Sequence, residues 1–478
     1  MSRARDTQAD APLADAAERF LADPGAPFTT PGHKRAAWLE DPLLARDLPL
    51  PGGADDSRLS GAVLRRAERL AAELWGADVC RFSVNGSTHG NQALCLAVGA
   101  PGVRVGVTRG LHKSMFAGLV LAGLEPVWMH PRVDPATGLA AGLDLDEVRR
   151  ALDAGVAALL LVEPSYVGVL SDLPAIAGLA HAAGVPVIVD QAWGSHLGLH
   201  PELPDNAVRM GADAMVVSAH KTLAAFTQGA MVFARGELLD RDRLAAGFDA
   251  LDTTSPSAAI YASLDRARRL MALRGRELLD RTLALADGFR CDAAGIEGLS
   301  VLDRAATPAF DVDPVKLVVS LAGTGADGFD VERDLLAEGV RLEMADRDTL
   351  VPLLTVGDDE RGVGRLSAAL EASVAARRGP PRPIASSTVW RLRPEPAMTP
   401  RDAFFAPSER VSAARAAGRV SAETAAPYPP GIPALAPGEL ITAELLDGLR
   451  AEAAAGTRVA YCSDPSLATL LVVAPGQR

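Results

Sequence analysis

From about residue 60 onward, short apolar runs rich in β-branched residues alternate with stretches of helical periodicity. The runs are apolar throughout, which is typical of strands buried on both faces of a sheet. The helical stretches are long enough to carry the chain back across a sheet, so the pattern predicts an α/β fold with a mostly parallel sheet and helices on both faces. The predicted strands are VCRFSV at 79–84, VRVGV at 103–107, AALLLV at 157–162, VPVIVD at 185–190, AMVVS at 214–218 and AMVF at 230–233.

The composition agrees with this class of fold. Hydrophobic residues make up 48% of the 478 residues and aromatic residues 4%, so the core must be built mainly from aliphatic contacts between helices and sheet. A chain of this length is expected to form two or three domains. Its net charge of −12 argues against nucleic acid and against an anionic membrane surface as partners.

Targeting and cysteine patterns add further expectations. The amino-terminal residues lack an apolar signal core, and no run approaches the roughly 20 apolar residues of a membrane span. We therefore expect a cytoplasmic protein without a membrane partner. The four cysteines are far apart and form no CxxC pair, so neither a disulfide framework nor a metal site is indicated.

The domain organisation follows from changes of pattern along the chain. A long helical segment begins at Ser257, and a smaller α/β region follows, with strands expected near 316–321 and 340–344 and a helix over 364–376. The polar stretch at 377–388, rich in Pro and Ser, is typical of a linker. We predict an amino-terminal arm (1–59), a large domain (60–300), a small α/β domain (301–376), a linker (377–390) and a C-terminal α+β domain (391–478).

The segment that follows the first strand has the composition of a phosphate site. It runs from the strand through a glycine turn into a helix, and Ser87 and Thr88 fall at the helix start. Backbone N–H groups, hydroxyls and the helix dipole can hold a phosphate there. When these residues are considered alone, an ordinary helix cap is the favoured explanation.

Asp190 ends the strand VPVIVD, where a cleft is expected at the strand tip. A buried carboxylate needs a cationic partner, because burying it unpaired would be costly. That partner is either an arginine of the fold or a cation of a ligand, and the spacing alone gives the two readings comparable weight. The residues that follow, 191–196, offer small side chains and an aromatic wall for a flat ring.

Lys221 lies just after the strand AMVVS, about thirty residues beyond Asp190. A lysine in a cleft is desolvated, which makes its amine a nucleophile toward aldehydes, although a lysine at a loop start is usually a solvated charge. Histidines at His33, His112, His196 and His220 also lie at or just after element ends. A phosphate cap, a buried aspartate, a stacking histidine and a lysine together indicate a site for pyridoxal 5'-phosphate (PLP).

Motifs in a fixed order extend over about residues 28–470. They are TPGHK at 30–34, SVNGSTHGNQ at 83–92, LHKS at 111–114, EPSYVGV at 163–169, DQAWGSH at 190–196, SAHKTLAAFTQ at 218–228, TSPS at 254–257, MTPRDAFFA at 398–406, GRVSAE at 418–423 and YPPGIPALAPGELIT at 428–442. This set resembles the prokaryotic ornithine/lysine/arginine decarboxylase family. It resembles most the short members, which lack the amino-terminal wing domain of the large inducible enzymes.

The resemblance implies a fold type I PLP enzyme with a mostly parallel sheet of the seven-stranded type and with active sites at the interface of a homodimer or higher oligomer. It also implies that the stretch 253–257 reaches the cofactor phosphate of the neighbouring subunit. By position in the motifs, Lys221 would form the Schiff base and Asp190 would pair with the pyridine nitrogen. The phosphate would be held by Ser87, Thr88 and Ser218. His112 would stack on one face of the ring and Ala192 would pack on the other, while His220 would sit near the phosphate or the substrate.

Some positions depart from the family pattern. Gln191 and Trp193 stand where the family often has Glu and His, which bears on the shape of the substrate more than on catalysis. EPSY at 163–166 replaces the commoner PTY. In the amino-terminal motif, Asp55 and Asp56 are retained but the Leu-His portion that follows them is lost.

The activity implied is the decarboxylation of a basic L-amino acid to the corresponding amine and CO2, with Lys221 or His220 returning a proton to Cα. Asp55, Asp56 and Glu343 are candidates for reading the cationic end of the substrate, and each could equally be a solvated charge. Arginine, lysine and ornithine stay open as substrates, with a slight preference for arginine. Transamination or aldol cleavage on the same scaffold, or a non-catalytic regulatory relative, are the alternatives.

Overall fold

The structure is a computed structural model that describes residues 6–22, 25, 28–50, 54–55, 61–134, 137–304, 311–383, 389, 392–428, 432–454 and 456–476. The chain divides into two compact units. The first comprises Met1–Val98 and Pro186–Arg281, and the second comprises Gly99–Val185 and Thr282–Arg478. Among the described residues, no helix combines the length and the apolarity that crossing a bilayer requires.

The helices and strands are numbered in chain order. The helices are α1 (Pro12–Ala22), α2 (Ala62–Trp75), α3 (Gly86–Val98), α4 (Lys113–Ala122), α5 (Leu145–Asp153), α6 (Leu173–Ala182), α7 (Ala219–Thr222), α8 (Arg241–Leu251), α9 (Ala258–Ala294), α10 (Gly328–Ala337), α11 (Glu360–Arg377), α12 (Pro400–Phe405), α13 (Ala413–Ala416) and α14 (Ala443–Ala454). The strands are β1 (Val79–Ser83), β2 (Arg104–Thr108), β3 (Glu125–Met129), β4 (Leu159–Val162), β5 (Val169–Leu170), β6 (Val187–Asp190), β7 (Ala214–Val217), β8 (Ala230–Ala234), β9 (Ser300–Val301), β10 (Asp311–Val312), β11 (Val319–Ser320), β12 (Met344–Ala345), β13 (Thr349–Val351), β14 (Ser408–Ser412), β15 (Ala426–Tyr428), β16 (Arg458–Ala460) and β17 (Thr469–Val473).

The first unit contains four adjacent sheet strands in the order β1-β8-β7-β6. Strands β6 and β7 are parallel, whereas β8 pairs antiparallel with both β7 and β1. Strands β1, β7 and β6 therefore all point in one direction, and their carboxyl ends lie along one edge. Every residue of β6, β7 and β8 is buried, which explains why these runs are apolar throughout.

Helix α3 packs closely on this part of the sheet because a glycine faces the strands. A Cβ added at Gly90 would lie 2.6 Å from a methyl of Val232 and 2.9 Å from one of Val216. These distances are shorter than van der Waals contact allows. Gly90 therefore fixes how near the helix, and the helix start that carries Ser87, can come to the strands.

The amino-terminal segment is docked on the first unit through helix α1. The Asp265 carboxylate accepts hydrogen bonds from the backbone N–H groups of Leu13 (2.9 Å) and Ala14 (3.3 Å) in the first turn of that helix. Asp265 also pairs with Arg268 at 2.6 Å, and both side chains are fully buried. The sequence indicated an arm without strong pattern, and residues 12–22 instead form an anchored helix.

In the second unit, strands β4, β2 and β3 are adjacent in that order, and β2 runs parallel to both neighbours. The sequence reading missed β3, since Glu125 and Pro126 break its apolar pattern. The reason is its place at the edge of the sheet, where a half-exposed strand tolerates both a charge and a proline.

The rest of the second unit contains two further hydrophobic cores. One lies between α9, α10, α11 and an antiparallel sheet of the order β12-β13-β11-β9. Here the predicted helix over 364–376 begins earlier, at Glu360, and the strand expected at 340–344 is the short β12. The other core is built from residues 389–472, with the antiparallel pairs β14–β17 and β15–β16.

The described part of the predicted linker is bonded to its surroundings. The Gly379 N–H donates to the Thr324 carbonyl (3.1 Å), and the Arg382 N–H donates to the Ala322 carbonyl (2.9 Å). The Arg382 guanidinium pairs with the Asp348 carboxylate at 2.8 Å. The domain boundaries drawn from the sequence stay predictions.

Candidate active site

Three polar segments follow strands that point in the same direction in the first unit. Asp190 is the last residue of β6, Ser218 follows β7 directly, and Gly86 and Ser87 follow β1 after a two-residue turn. The carboxyl ends of such strands lie at one edge of the sheet, where folds of this class bind their ligands. The topology therefore places these sequence-predicted residues at a common edge.

The two serines predicted to bind phosphate are in direct contact. The Ser218 hydroxyl donates to the Ser87 hydroxyl at 2.9 Å, and Ser218 is fully buried. Gly86 opens α3 with a φ of 72°, and its N–H donates to the Gln228 carbonyl at 2.9 Å. Thr88 lies exposed in the first turn of the same helix. Hydroxyls beside the N-terminus of a 13-residue helix are a fitting set of donors for a phosphate group.

Asp190 is a buried carboxylate with neutral hydrogen-bond donors. It is 2% exposed, and its oxygens accept from the Asn91 amide (2.6 Å) and from the Ala192 N–H (3.1 Å). In the part of the chain that the structure describes, Asp190 forms no ion pair. A carboxylate in this position favours a cation from a bound group, and a protonated pyridine nitrogen fits that requirement.

Lys221 lies in the short helix α7, four residues after the end of β7. Its Nζ is 3.9 Å from the centroid of the Trp193 ring, a cation–π distance. Trp193 belongs to the loop after Asp190, so this contact brings together the segments that carry the two predicted catalytic residues. Below the lysine, the hydroxyls of Thr222 and Ser195 are 2.5 Å apart and hold the two loops to each other.

His220 is half-buried, and its protonation state follows from its contacts. Its Nδ1–H donates to the Gly229 carbonyl at 3.0 Å, which leaves the lone pair on Nε2. Burial lowers the pKa of His220, the Lys221 charge lowers it further, and the bond to Gly229 opposes both. The ring is therefore neutral at pH 7 and can accept a proton at Nε2.

His112 lies in the second unit, where it caps the N-terminus of α4. Its Nδ1 accepts from the Ser114 N–H (3.3 Å) and from the Ser114 hydroxyl (2.8 Å). The ring proton is therefore on Nε2. The residue is exposed. Its predicted role toward the cofactor stays a prediction.

The structure gives the other candidates different surroundings. Asp55 is buried and accepts from the Leu64 N–H at 2.8 Å, so its carboxylate caps α2. Glu343 is exposed in the second unit. Asp56 lies outside the described residues. His33 forms a hydrogen bond of 3.1 Å with Asp47, and His196 is 2% exposed.

Asn91 belongs to the motif SVNGSTHGNQ, but the sequence reasoning assigned it no role. It follows Ser87 by four residues on α3, and residues four apart share one face of a helix. This four-residue spacing is the sequence signal that could have pointed to Asn91, because a helix face that begins at a phosphate site continues toward the rest of the ligand. The bond from Asn91 to Asp190 shows that this face points to the end of β6.

Comparison with solved structures defines the class of the fold. The lysine decarboxylase LdcF of Francisella novicida superposes with a TM-score of 0.81 at 20% sequence identity, with 96% of this chain and 80% of that chain covered. The chain therefore has the α/β architecture of the fold type I PLP enzymes, as predicted.

Sequence comparison then gives the family. The model of the Orn/Lys/Arg decarboxylase major domain matches residues 11–307, and that of the C-terminal domain matches residues 385–458. The arginine decarboxylase of Bacillus subtilis is 34% identical, with 98% of each chain covered, and that of Halalkalibacterium halodurans is 36% identical, with 93% of this chain and 94% of that relative covered. This chain belongs to the Orn/Lys/Arg decarboxylase family and is an amino-acid decarboxylase. The family recognised from the motifs is confirmed.

Proposed function

We propose that this protein is a PLP-dependent decarboxylase of L-arginine that releases agmatine and CO2. The observation that carries the proposal is the position of Asp190, a buried carboxylate without an ion-pair partner among the described residues, beside the segment that carries Lys221. The choice of arginine is supported by the two relatives named arginine decarboxylase, which match over nearly their whole length.

Each of the site residues would have a separate role in holding the cofactor. Bound PLP supplies an electron sink that accepts the electron pair left when the carboxylate of the substrate departs. Asp190 would keep the pyridine nitrogen protonated, and Asn91 and the Ala192 N–H hold that carboxylate in place. The phosphate would be held by Ser87, Thr88 and Ser218. Lys221 would bind the cofactor covalently, while His112 and Ala192 would cover its two faces.

The return of a proton to Cα needs a group that exchanges protons near neutral pH. His220 is neutral there, and its Nδ1–H is bonded to Gly229, so Nε2 is the atom that would accept and release the proton. Lys221 is the other candidate donor.

The test is the release of CO2 from L-arginine, L-lysine and L-ornithine by the protein loaded with PLP. We expect turnover with arginine and at least tenfold lower kcat/KM with the other two, since a pocket built for one polar group discriminates strongly. The Lys221→Ala variant should bind PLP without the visible absorbance of the covalent form and show no turnover. Keto-acid formation in place of CO2 would contradict the proposal.

We further propose that the active sites form at a homodimer interface, to which the stretch 253–257 contributes. Sedimentation should give twice the chain mass. Mixing Lys221→Ala chains with Thr254→Ala chains should restore activity above that of either variant, because one site in the mixed dimer would then be intact. A monomeric active enzyme would contradict this part of the proposal. The cytoplasmic location stays a prediction.

A further inference from the structure

Helix α4, which His112 caps, is held at its far end by a residue from the C-terminal part of the second unit. The last carbonyls of a helix have no partner within it. Here those of Val120 and Leu121 accept hydrogen bonds from the Arg401 guanidinium, at 2.8 and 2.9 Å. Arg401 belongs to α12, in the motif MTPRDAFFA.

The loop before α4 is held by the same part of the chain. Arg109 follows β2 and precedes His112 by three residues, and it is 4% exposed. Its guanidinium forms a two-pronged ion pair with Glu439, with N–O distances of 2.5 and 2.8 Å. It also donates to the carbonyls of Pro433 (2.7 Å) and Ala434 (3.0 Å) and lies 4.7 Å from the centroid of the Trp128 ring.

Glu439 is itself fixed by backbone contacts. It is 2% exposed, and Oε2, one of the two oxygens that accept from Arg109, also accepts from the Ala436 N–H at 2.8 Å. The preceding Gly438 has a φ of 93°, and a Cβ there would lie 2.4 Å from the Met398 carbonyl oxygen. The Ala397 N–H donates to the Gly438 carbonyl at 2.8 Å. This carboxylate therefore has little freedom to follow Arg109 if the loop moves.

We propose that Glu439 is a positioning residue for His112. Through Arg109, it fixes the three-residue loop that sets where the His112 ring stands, while Arg401 fixes the other end of α4. The proposal rests on the function proposed above, in which His112 stacks on the cofactor ring. The role of the APGE segment is then to hold the cofactor-facing loop in register from more than three hundred residues away.

The experiment compares the Glu439→Gln holoenzyme with wild type by visible circular dichroism of bound PLP, by PLP affinity and by kcat. Glutamine keeps the shape but removes the charge and one of the two acceptors. We expect an altered dichroism and a fall in kcat of about 10- to 100-fold, the size of effect that a small misplacement of a reacting group produces. Glu439→Asp, which keeps the charge, should lose less.

Coupling to His112 separates positioning from general destabilisation. In a His112→Ala background, adding Glu439→Gln should lower kcat by less than about twofold more, because the ring that Glu439 positions is already absent. If Glu439→Gln does not fold, Glu439→Asp is measured in the same way, and its losses must again disappear in the His112→Ala background.

A matched control exists in the same unit. Arg382 likewise pairs with a carboxylate, Asp348, and donates to two carbonyls, those of Gly325 and Ala326. Asp348→Asn should therefore lower the thermal midpoint and leave the dichroism of bound PLP unchanged.

Three results would overturn the inference. The first is a Glu439→Gln enzyme whose dichroism and kcat equal those of wild type. The second is a double variant in which the loss of kcat from Glu439→Gln adds fully to the loss from His112→Ala. A His112→Ala enzyme with unchanged dichroism and kcat would overturn the stacking role of His112 and this inference with it, while CO2 release from arginine would still support the proposed reaction.

Discussion

The Asp190 carboxylate is the residue on which the chemistry of the site depends most. Its two oxygens are held by neutral donors, so its charge is oriented but is not balanced by an ion pair with any side chain in the described ranges. Such a group gains most when a bound cation arrives, because burial strengthens the attraction between the two charges. In the proposed function Lys221, whose Nζ lies 3.9 Å from the centroid of the Trp193 ring, would keep the cofactor in place while Asp190 would control its charge.

Replacing Asp190 by Asn should separate binding from catalysis. We expect Asp190→Asn to keep the visible absorbance of bound PLP and to lose about 100- to 1000-fold in kcat, since a neutral amide cannot hold the pyridine nitrogen protonated. Asp213→Asn is the control: that buried carboxylate accepts from the Val187 N–H at 2.8 Å, and its loss should lower stability without changing kcat. A kcat for Asp190→Asn within twofold of wild type would remove Asp190 from the mechanism.

At the scale of elements, the contact between α3 and the sheet sets the distance between the phosphate end and the aspartate end of the site. Ser87 lies in the first turn of the helix, Asn91 lies one turn further and bonds to Asp190, and Gly90, between them in the sequence, faces the strands. A wider helix–sheet spacing would shift both polar residues together. One glycine thus links packing to the geometry of the cofactor site.

The Gly90→Ala variant tests this link. The added methyl overlaps Val216 and Val232, and overpacking of this kind costs about 1–3 kcal/mol of unfolding free energy. We expect a lower urea midpoint and weaker PLP binding. Gly178→Ala in α6 is the matched control, since a Cβ there meets nothing within 4 Å and alanine should stabilise the helix by about 1 kcal/mol. Equal effects of the two substitutions would contradict the packing argument.

The docking of α1 gives a second prediction for an element. Asp265→Ala leaves Arg268 fully buried without its carboxylate and removes the acceptor for Leu13 and Ala14, so we expect a loss of about 3–5 kcal/mol. Hydrogen exchange over residues 11–22 should rise. Glu277→Ala, which breaks an exposed pair with Arg274, should leave stability nearly unchanged, because solvent screens such a pair. Unchanged protection of α1 in Asp265→Ala would show that the helix is held otherwise.

Much of the sheet and of the site could be predicted because both depend on local pattern. Buried strands such as β6 and β7 need continuous apolar runs, and Asp190 and Lys221 stand out as the polar residues that follow such runs. Contacts between distant residues leave no such signal. The anchoring of α1 depends on Asp265, about 250 positions away, and Arg109 meets its carboxylate 330 positions further along the chain.

For the molecule as a whole, buried carboxyl groups set how stability depends on pH. Burial raises the pKa of Glu68 in the first unit to about 7, and it does the same for Glu163 in the second unit. It also raises the pKa of Asp346 to about 6. Between the pKa of each group in the unfolded chain, near 4.5 for Glu, and its raised value in the folded protein, the folded state binds more protons at these three carboxyl groups. Their contribution to stability therefore falls as the pH rises through this range, whereas the pKa of His130, which burial lowers to about 4, has the opposite effect.

Glu163→Gln isolates one of these groups. Glutamine imitates the protonated acid at every pH, whereas wild type loses the contribution of protonated Glu163 to stability as the pH rises. The thermal midpoint of the variant minus that of wild type should therefore be about 2–4 °C larger at pH 8 than at pH 5. Scanning calorimetry at both pH values measures the difference. Glu343→Gln, at an exposed position, should show none. A constant difference for Glu163→Gln would mean that this carboxyl group is ionised throughout the range.

The buried pair of Arg109 and Glu439 limits how far an enzyme of this kind can be shortened. A chain cut before Ala436 would keep Lys221, Asp190 and the other residues proposed to hold the cofactor, but Arg109, directly after β2, would be a buried guanidinium without the carboxylate of Glu439. Anyone designing a minimal version would have to exchange Arg109 for an apolar side chain in the same step. If Glu439 positions His112 as proposed, a natural chain that lacks this C-terminal region should be inactive even where the rest of it folds.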